Sequence, residues 1–94
     1  MAQRAVEEAH RLRPDVIVLN ITMPTMDGLE AARRINESLP ESAIVILSSH
    51  TDKHFIEAAK AARARAYVAK TNAGEALLKA IDAALKSDDF VLMD

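Results

Sequence analysis

Two short runs of aliphatic residues constrain the fold of this chain most strongly. Val16 to Leu19 and Ala43 to Leu47 are continuous and rich in β-branched side chains, with no polar alternation. Such runs are typical of strands that are buried on both faces of a parallel sheet. Parallel neighbours need a crossover connection, which is usually a helix. The chain is therefore expected to alternate helices and strands in an α/β fold.

The segments between the aliphatic runs carry helical spacing and helix boundary signals. Residues 3–12 are predicted to form a first helix that ends before Pro14, because the residue before a proline avoids the helical region. Asp27 and Glu30 form a D-x-x-E capping box at the start of a second helix. A third helix is predicted from about Lys53 to Arg63.

A third cycle of strand and helix completes the pattern. Ala66 to Ala69 is predicted to be a short strand, and Asn72 with Glu75 forms an N-x-x-E capping box before the last helix. The predicted buried face of that helix consists of Leu77, Leu78, Ile81 and Leu85. The expected order is α-β-α-β-α-β-α, with a three-stranded parallel sheet and right-handed crossovers. The pattern assigns no role to the tail, Lys86 to Asp94.

Length and composition restrict the class of protein. Ninety-four residues are expected to form one domain, residues 1–94. The absence of cysteine excludes a disulfide framework and a cysteine nucleophile, and the net charge of −2 gives no reason to expect nucleic acid as a partner. The apolar runs are too short to cross a bilayer, and no signal peptide precedes them, so we expect a cytoplasmic protein without membrane contact.

A polar residue follows each predicted strand. These residues are Asn20, Ser48 and Lys70. Ligands of open α/β sheets bind beyond the carboxyl ends of the strands, so an amide, a hydroxyl and an ammonium are expected at one edge. Such a set predicts a pocket for an anion.

The segment from Pro14 to Glu30, with the sequence PDVIVLNITMPTMDGLE, resembles the phosphoacceptor segment of bacterial response-regulator receiver domains. The resemblance continues through Ile44 to Ser49 and through Ala66 to Lys70. It implies a flavodoxin-like receiver fold, in which Ser48 stands at the switch hydroxyl, Tyr67 at the switch aromatic and Lys70 at the invariant lysine. Members of this family accept a phosphoryl group from a histidine kinase with the help of Mg²⁺.

Several positions depart from the family pattern. The phosphoacceptor aspartate falls at Asn20, whose neutral amide cannot form an acyl phosphate and binds magnesium less well than a carboxylate. The family's first strand, first helix and second strand, with its acidic pair, would precede Met1. Only the backbone at Thr22 matches a metal-contacting position, so neither a Mg²⁺ cofactor nor enzymatic activity is expected. Thr71 replaces the usual proline, and residues 62–66 replace a Gly-Ala-x-Gly segment.

The resemblance and its departures lead to a functional hypothesis. We expect a phosphorylation-incompetent, receiver-like module of two-component (phosphorelay) signalling that acts by protein–protein interaction, with a histidine kinase or another signalling protein as partner. The missing elements would leave the strand at Val16 to Leu19 and the helix face of Leu77, Ile81 and Leu85 bare. A homodimer formed by edge pairing or element exchange would cover them. The alternative is a fragment or engineered form of a receiver whose parent accepts a phosphoryl group.

Each candidate residue also has a simpler interpretation. Asn20 is explained by a natural loss of phosphorylation, by an engineered block or by capping of a strand end. Lys70 either binds an anion or forms an ordinary ion pair with a carboxylate such as Asp27. Ser48 and Tyr67 are otherwise a strand-end hydroxyl and a half-buried aromatic residue.

Two further clusters have a plain structural explanation. His50 and His54 have a spacing that is seen at metal sites, but no third ligand is evident in the sequence. A basic run offers a face for an acidic partner and is more often a solvated helix surface; its members are Lys53, Lys60, Arg63, Arg65 and Lys70.

Overall fold

The computed structural model describes residues 2–21, 27–49, 52–72, 74–87 and 89–93. Within these ranges four helices and four strands alternate. They are α1 (Ala2–Leu12), β1 (Val16–Ile21), α2 (Asp27–Ser38), β2 (Ala43–Ser48), α3 (Lys53–Ala61), β3 (Ala66–Ala69), α4 (Glu75–Lys86) and β4 (Val91–Met93), with a 3-10 turn at Lys70–Asn72 after β3. The predicted α/β class is confirmed. None of the described helices is both long and apolar enough to cross a membrane.

The strands form one parallel sheet in the order β1-β2-β3-β4. The prediction of three strands is wrong, because the tail contributes β4, which pairs with the outer edge of β3. This strand is only three residues long. A segment that short carries too little alternation to be distinguished from a loop in sequence.

The sheet lies between two apolar layers. On one face α1, α2 and α3 pack against alternate strand residues such as Ile44, Ile46 and Tyr67. On the other face α4 packs against the intervening residues, including Ala43, Val45 and Val68. Because successive strand residues point to opposite faces, each strand residue serves one layer only. Both faces of β2 and β3 are covered, as their continuous apolar sequences predict.

The last crossover differs in hand from the two before it. α2 joins β1 to β2 and α3 joins β2 to β3 on the same face, whereas α4 joins β3 to β4 on the opposite face. β4 nevertheless lies beyond β3 on the side away from β2, so the sheet grows in the same direction at every step. A crossover that runs in the same direction on the other face has the opposite hand, and about 98% of such connections in proteins are right-handed. The right-handed crossovers predicted from the sequence concern β1 to β2 and β2 to β3, and the crossover to β4 has no counterpart in that prediction.

Helix boundaries follow capping chemistry that the sequence reveals only in part. At α3 the carboxylate of Asp52 accepts a hydrogen bond from the backbone N–H of Phe55 at 2.9 Å, which satisfies a free donor of the first turn. α4 begins at Glu75, and its N-cap is Gly74, which forms no side-chain cap bond. The prediction that Asn72 is the N-cap of this helix is therefore wrong. Gly74 has φ +80°, and the left-handed region favours glycine over a capping side chain at that point.

The buried face of α4 is built from alanine rather than leucine. Ala76, Ala80 and Ala84, at a spacing of four residues, face the sheet. Leu78 is 69% exposed and Leu85 is 51% exposed, so the prediction that they are buried is wrong. Small side chains allow the helix backbone to approach the sheet closely, and the larger leucines lie outside that contact. Leu77 and Ile81 are half-buried at its margin.

Candidate functional site

The carboxyl edge of the sheet holds the polar residues that the sequence singled out. Asn20 is the second-last residue of β1, Ser48 is the last residue of β2, and Lys70 opens the 3-10 turn directly after β3. Asn20 lies in register with Leu47, and Ser48 lies in register with Ala69. The parallel arrangement thus brings an amide, a hydroxyl and an ammonium to the same edge of three adjacent strands.

Asn20 lies on the exposed outer strand of this edge. β1 extends to Ile21, two residues beyond the predicted end, so Asn20 belongs to the strand itself. Alternation places it on the same face as Val16 and Val18, the face on which α4 packs. Its side chain is exposed to solvent. A reactant in solution therefore has access to this side chain.

Ser48 is joined to Tyr67 rather than to Asn20. Ser48 and Tyr67 are both fully buried, and a side-chain hydrogen bond links them. The interpretation of Tyr67 as a half-buried aromatic residue is therefore wrong. Its ring packs edge to face against Phe55, with centroids 6.4 Å apart and an interplanar angle of 79°. Phe55 was not among the residues singled out from the sequence; it lies in the first turn of α3, where its backbone N–H donates to the Asp52 carboxylate.

Burial controls the acidity of the Tyr67 phenol. Removal from water raises the pKa of Tyr67 above its usual value of 10, because the phenolate is disfavoured in the apolar layer. The hydrogen bond with Ser48 acts in the opposite direction and is the smaller effect. Tyr67 is therefore neutral at physiological pH and uses its hydroxyl for hydrogen bonding.

Of the other predicted site residues, the structure describes Lys70 and His54. Lys70 is half-buried at the end of β3. Thr22 and His50 lie outside the described residues, as does the side chain of Asp27, so the proposed ion pair of Lys70 with Asp27 stays a prediction. His54 is exposed near the start of α3.

The described donors at this edge do not fit a magnesium ion. Mg²⁺ prefers carboxylate oxygens in octahedral geometry, and Asn20 offers only an amide oxygen. Within the described ranges no group of three or more His, Cys, Asp or Glu residues is placed to hold a metal ion. The ammonium of Lys70 and the hydroxyl of Ser48, which bonds with Tyr67, add no acidic ligand. Among the described side chains at this edge, the Lys70 ammonium repels a metal cation, and the Asn20 amide and the Ser48 hydroxyl offer hydrogen bonds. Together they do not form a metal-binding site.

A cleft of about 220 Å³ lies at the opposite, amino edge of the sheet. Its lining includes Arg13, Asp15 and Glu41, which precede β1 and β2. Sequence reasoning did not identify it, since it arises where two connections meet. The Ser42 hydroxyl donates a hydrogen bond to the Pro14 carbonyl at 2.6 Å and holds these connections together. The cleft is separate from the carboxyl edge and contains none of the predicted site residues.

The chain is similar in sequence to bacterial response regulators. The family model described as response regulator receiver domain matches residues 1–82. Response regulator protein VraR of Staphylococcus saprophyticus is 32% identical over 77 residues, which are 82% of this chain and 37% of that protein. Transcriptional regulatory protein DegU of Brevibacillus brevis is 35% identical over 81 residues, 86% of this chain and 30% of that protein. The chain spans about a third of the length of these curated relatives.

Solved structures match the same architecture. The crystal structure of a two-component response regulator of the LuxR family from Aurantimonas sp. SI85-9A1 superimposes with a TM-score of 0.83 at 30% identity, covering 96% of this chain and 64% of that one. The chemotaxis protein CheY4 of Vibrio cholerae superimposes with a TM-score of 0.75 at 27% identity, covering 89% of this chain and 72% of that one. The flavodoxin-like receiver architecture expected from the sequence is thereby confirmed.

Proposed function

The chain belongs to the response regulator receiver domain family, and from that premise we propose that it is a cytoplasmic signalling module that works by protein contact and takes no phosphoryl group at Asn20. It is not an enzyme in this proposal. Its partners are proteins of two-component signalling, such as a histidine kinase, and a second copy of the chain. Neither nucleic acid nor a membrane is a partner.

The nature of residue 20 is the observation that carries the proposal. By resemblance this position is that of the family's phosphoacceptor aspartate, and here it is an exposed asparagine near the carboxyl end of β1. An amide oxygen is not a carboxylate nucleophile, so it does not form the acyl phosphate of the family reaction. The described donors at the same edge offer no acidic ligand set for magnesium. The Asn20 side chain is therefore accessible to a phosphoryl donor, but its amide does not accept the phosphoryl group.

The order of the sheet supports self-association. β1 is the terminal strand of the described sheet, and its Val18 is 39% exposed. A flat aliphatic strand at an edge is a template for pairing with another chain. We therefore propose that two copies pair through β1. Light scattering should give a mass that rises with concentration, and Val18→Lys should keep the chain monomeric; a folded monomer at all concentrations would exclude this pairing.

Phosphoryl transfer from a small donor tests the central proposal. The chain is incubated with acetyl phosphate and Mg²⁺, and its intact mass is measured before and after treatment with hydroxylamine, which cleaves acyl phosphates. We expect no hydroxylamine-sensitive phosphate on the chain. Asn20→Asp is the matched control for side-chain size, and we expect it to remain unlabelled because the described edge lacks an acidic pair for magnesium.

A second candidate function is that of a phosphoacceptor receiver in a longer response regulator, of which this chain is a fragment or an engineered form. The names of the relatives, response regulator and transcriptional regulatory protein, favour it. Efficient, magnesium-dependent labelling of Asn20→Asp would support this candidate. Labelling of the unaltered chain at Asn20 would overturn the first proposal.

A further inference from the structure

The outer edge of β3 is occupied by the chain's own tail. β4 lies parallel to β3, with Ala66, Tyr67 and Val68 in register with Val91, Leu92 and Met93, respectively. The backbone N–H of Val91 donates to the Arg65 carbonyl at 2.9 Å. Without β4, the main chain of β3 would present an unpaired edge, which is a template for an extended segment.

The tail engages both layers of the fold. Phe90 packs against the layer that contains Tyr67, and Val91 and Met93 pack against the layer of α4. The Lys60 ammonium lies 5.9 Å from the centroid of the Phe90 ring, within the range of a cation–π contact. The site that receives the tail therefore selects for an aromatic residue followed by alternating apolar residues.

β4 is the shortest strand of the described sheet and lies at its edge. It has three residues, against a usual strand length of about five or six, and Leu92 is 46% exposed. It reaches the sheet through the crossover whose hand is opposite to that of the other two. Elements with few buried apolar contacts open at a lower free energy than the core. Opening of β4 leaves the pairing of β1, β2 and β3 intact.

We propose that the outer edge of β3 is a strand-binding site, closed in cis by residues 89–93, that accepts an extended segment of a partner protein in which acidic residues precede an aromatic and alternating apolar residues. The proposal deepens the interaction role and rests on it, because it names the kind of protein segment that is bound. The sequence of the tail, which occupies this site in the chain itself, indicates which residues such a segment should carry.

Charge supports the acidic part of the partner segment. In the sequence, Asp88 and Asp89 come directly before Phe90. The chain beside the entry to β4 carries Lys60 and Arg65, and the guanidinium of Arg65 donates to the carbonyl of Ala84 at 3.1 Å near the end of α4. Cations at this end of β3 favour a ligand that brings negative charge just before its aromatic residue.

The test uses full-length chains and a fluorescent peptide with the sequence of residues 87–94, SDDFVLMD. Val91→Pro removes the N–H that bonds to Arg65 and should release the tail. Leu92→Pro is the matched control, because alternate amides of an edge strand face away from the neighbouring strand. Fluorescence anisotropy should show that Val91→Pro binds the peptide at least about tenfold more tightly than the unaltered chain and Leu92→Pro, as expected when a competitor in cis is removed.

Two results would overturn the proposal. One is a folded Val91→Pro chain, verified by circular dichroism, that binds the peptide no better than the unaltered chain; the other is equal binding of a scrambled peptide. If Val91→Pro does not fold, hydrogen exchange on the unaltered chain decides. The Val91 amide should then exchange at least about tenfold faster than the Val45 amide in β2, and equal protection would exclude a displaceable strand. None of these measurements depends on phosphoryl transfer, so they fail or succeed independently of the test at Asn20.

Discussion

Tyr67 and Ser48 share a buried side-chain hydrogen bond across the boundary between β3 and β2, and both residues are inaccessible to solvent. Within the described residues no buried side-chain nitrogen or oxygen lacks a hydrogen-bond partner. The Ser48–Tyr67 pair thus satisfies two polar groups in an otherwise aliphatic and aromatic layer. It also fixes the position of the aromatic ring at the carboxyl edge.

Tyr67→Phe should destabilise the protein by about 1–2 kcal/mol, because it leaves the buried Ser48 hydroxyl without this partner. Urea unfolding at pH 7 measures the change. Ser48→Ala and the double variant complete a mutant cycle, in which the two single losses should sum to more than the loss in the double variant. Simple additivity would mean that the two hydroxyls do not stabilise each other.

The stability of the protein should fall at alkaline pH because of Tyr67. Its pKa is raised in the folded state, chiefly by burial, so the folded state prefers the neutral phenol. This contribution is present below the unfolded pKa of about 10 and is lost as the pH rises further. The protein contains one tyrosine, so ultraviolet absorbance of tyrosinate reports its titration without overlap. Tyr67→Phe should lack this part of the alkaline loss of stability.

Glu30→Gln should flatten the acid dependence of stability. The carboxylate of Glu30 accepts hydrogen bonds from Arg33 at 2.6 Å and from Arg34 at 3.0 Å, and the bond from Arg33 is the main cause that lowers its pKa from 4.5 to about 2. A lowered pKa means that the stabilisation is present above pH 4.5 and is lost as the pH falls towards 2. Thermal melts between these pH values measure it. The residues are exposed, so 1 M salt should shrink the difference between the variant and the unaltered chain.

Gly28→Ala should destabilise the protein by about 1–3 kcal/mol, despite the higher helix propensity of alanine. A Cβ at this position in α2 would lie 2.7 Å from both Cγ1 and Cδ1 of the buried Ile21 side chain. The same substitution in an Ile21→Ala background removes the clashing atoms and should cost less. Chemical denaturation of the four chains tests this coupling, and an equal cost in both backgrounds would contradict it.

Arg63→Gly should stabilise the protein by about 0.5–1 kcal/mol. Arg63 has φ +70° after α3, a conformation that costs a residue with a Cβ more than it costs glycine. Glu57→Gly is the matched control within α3, where glycine should destabilise by about 1 kcal/mol. A loss of stability in both variants would show that the Arg63 side chain contributes more than its backbone strain costs.

The sequence was most informative where the chain is apolar and continuous. The runs at Val16 and Ala43 identified buried parallel strands, and the alternation of segments identified the α/β class. The resemblance around Asn20 identified the family and the carboxyl edge. The loop before β3 departs from the family pattern in sequence, and within it Arg63, which is not glycine, adopts a positive φ of 70°.

Failures of prediction occurred where packing overrides local pattern. The leucine stripe of α4 suggested burial of Leu78 and Leu85, but helix–sheet contact is made by the alanines at 76, 80 and 84. Burial of Tyr67 depends on Phe55 and on its bond with Ser48, which are distant in sequence. β4 forms because an existing strand edge binds it, and its own three residues carry no sufficient signal.

The strand order β1-β2-β3-β4 is the order in which the strands are synthesised. Within the described sheet each new strand can therefore dock on a neighbour that already exists, without waiting for a distant segment, which favours rapid folding. The arrangement also makes the molecule divisible from its carboxyl end. Proteolysis or alternative termination there would remove whole strands one at a time, and each shorter product would keep every remaining neighbour contact of the sheet.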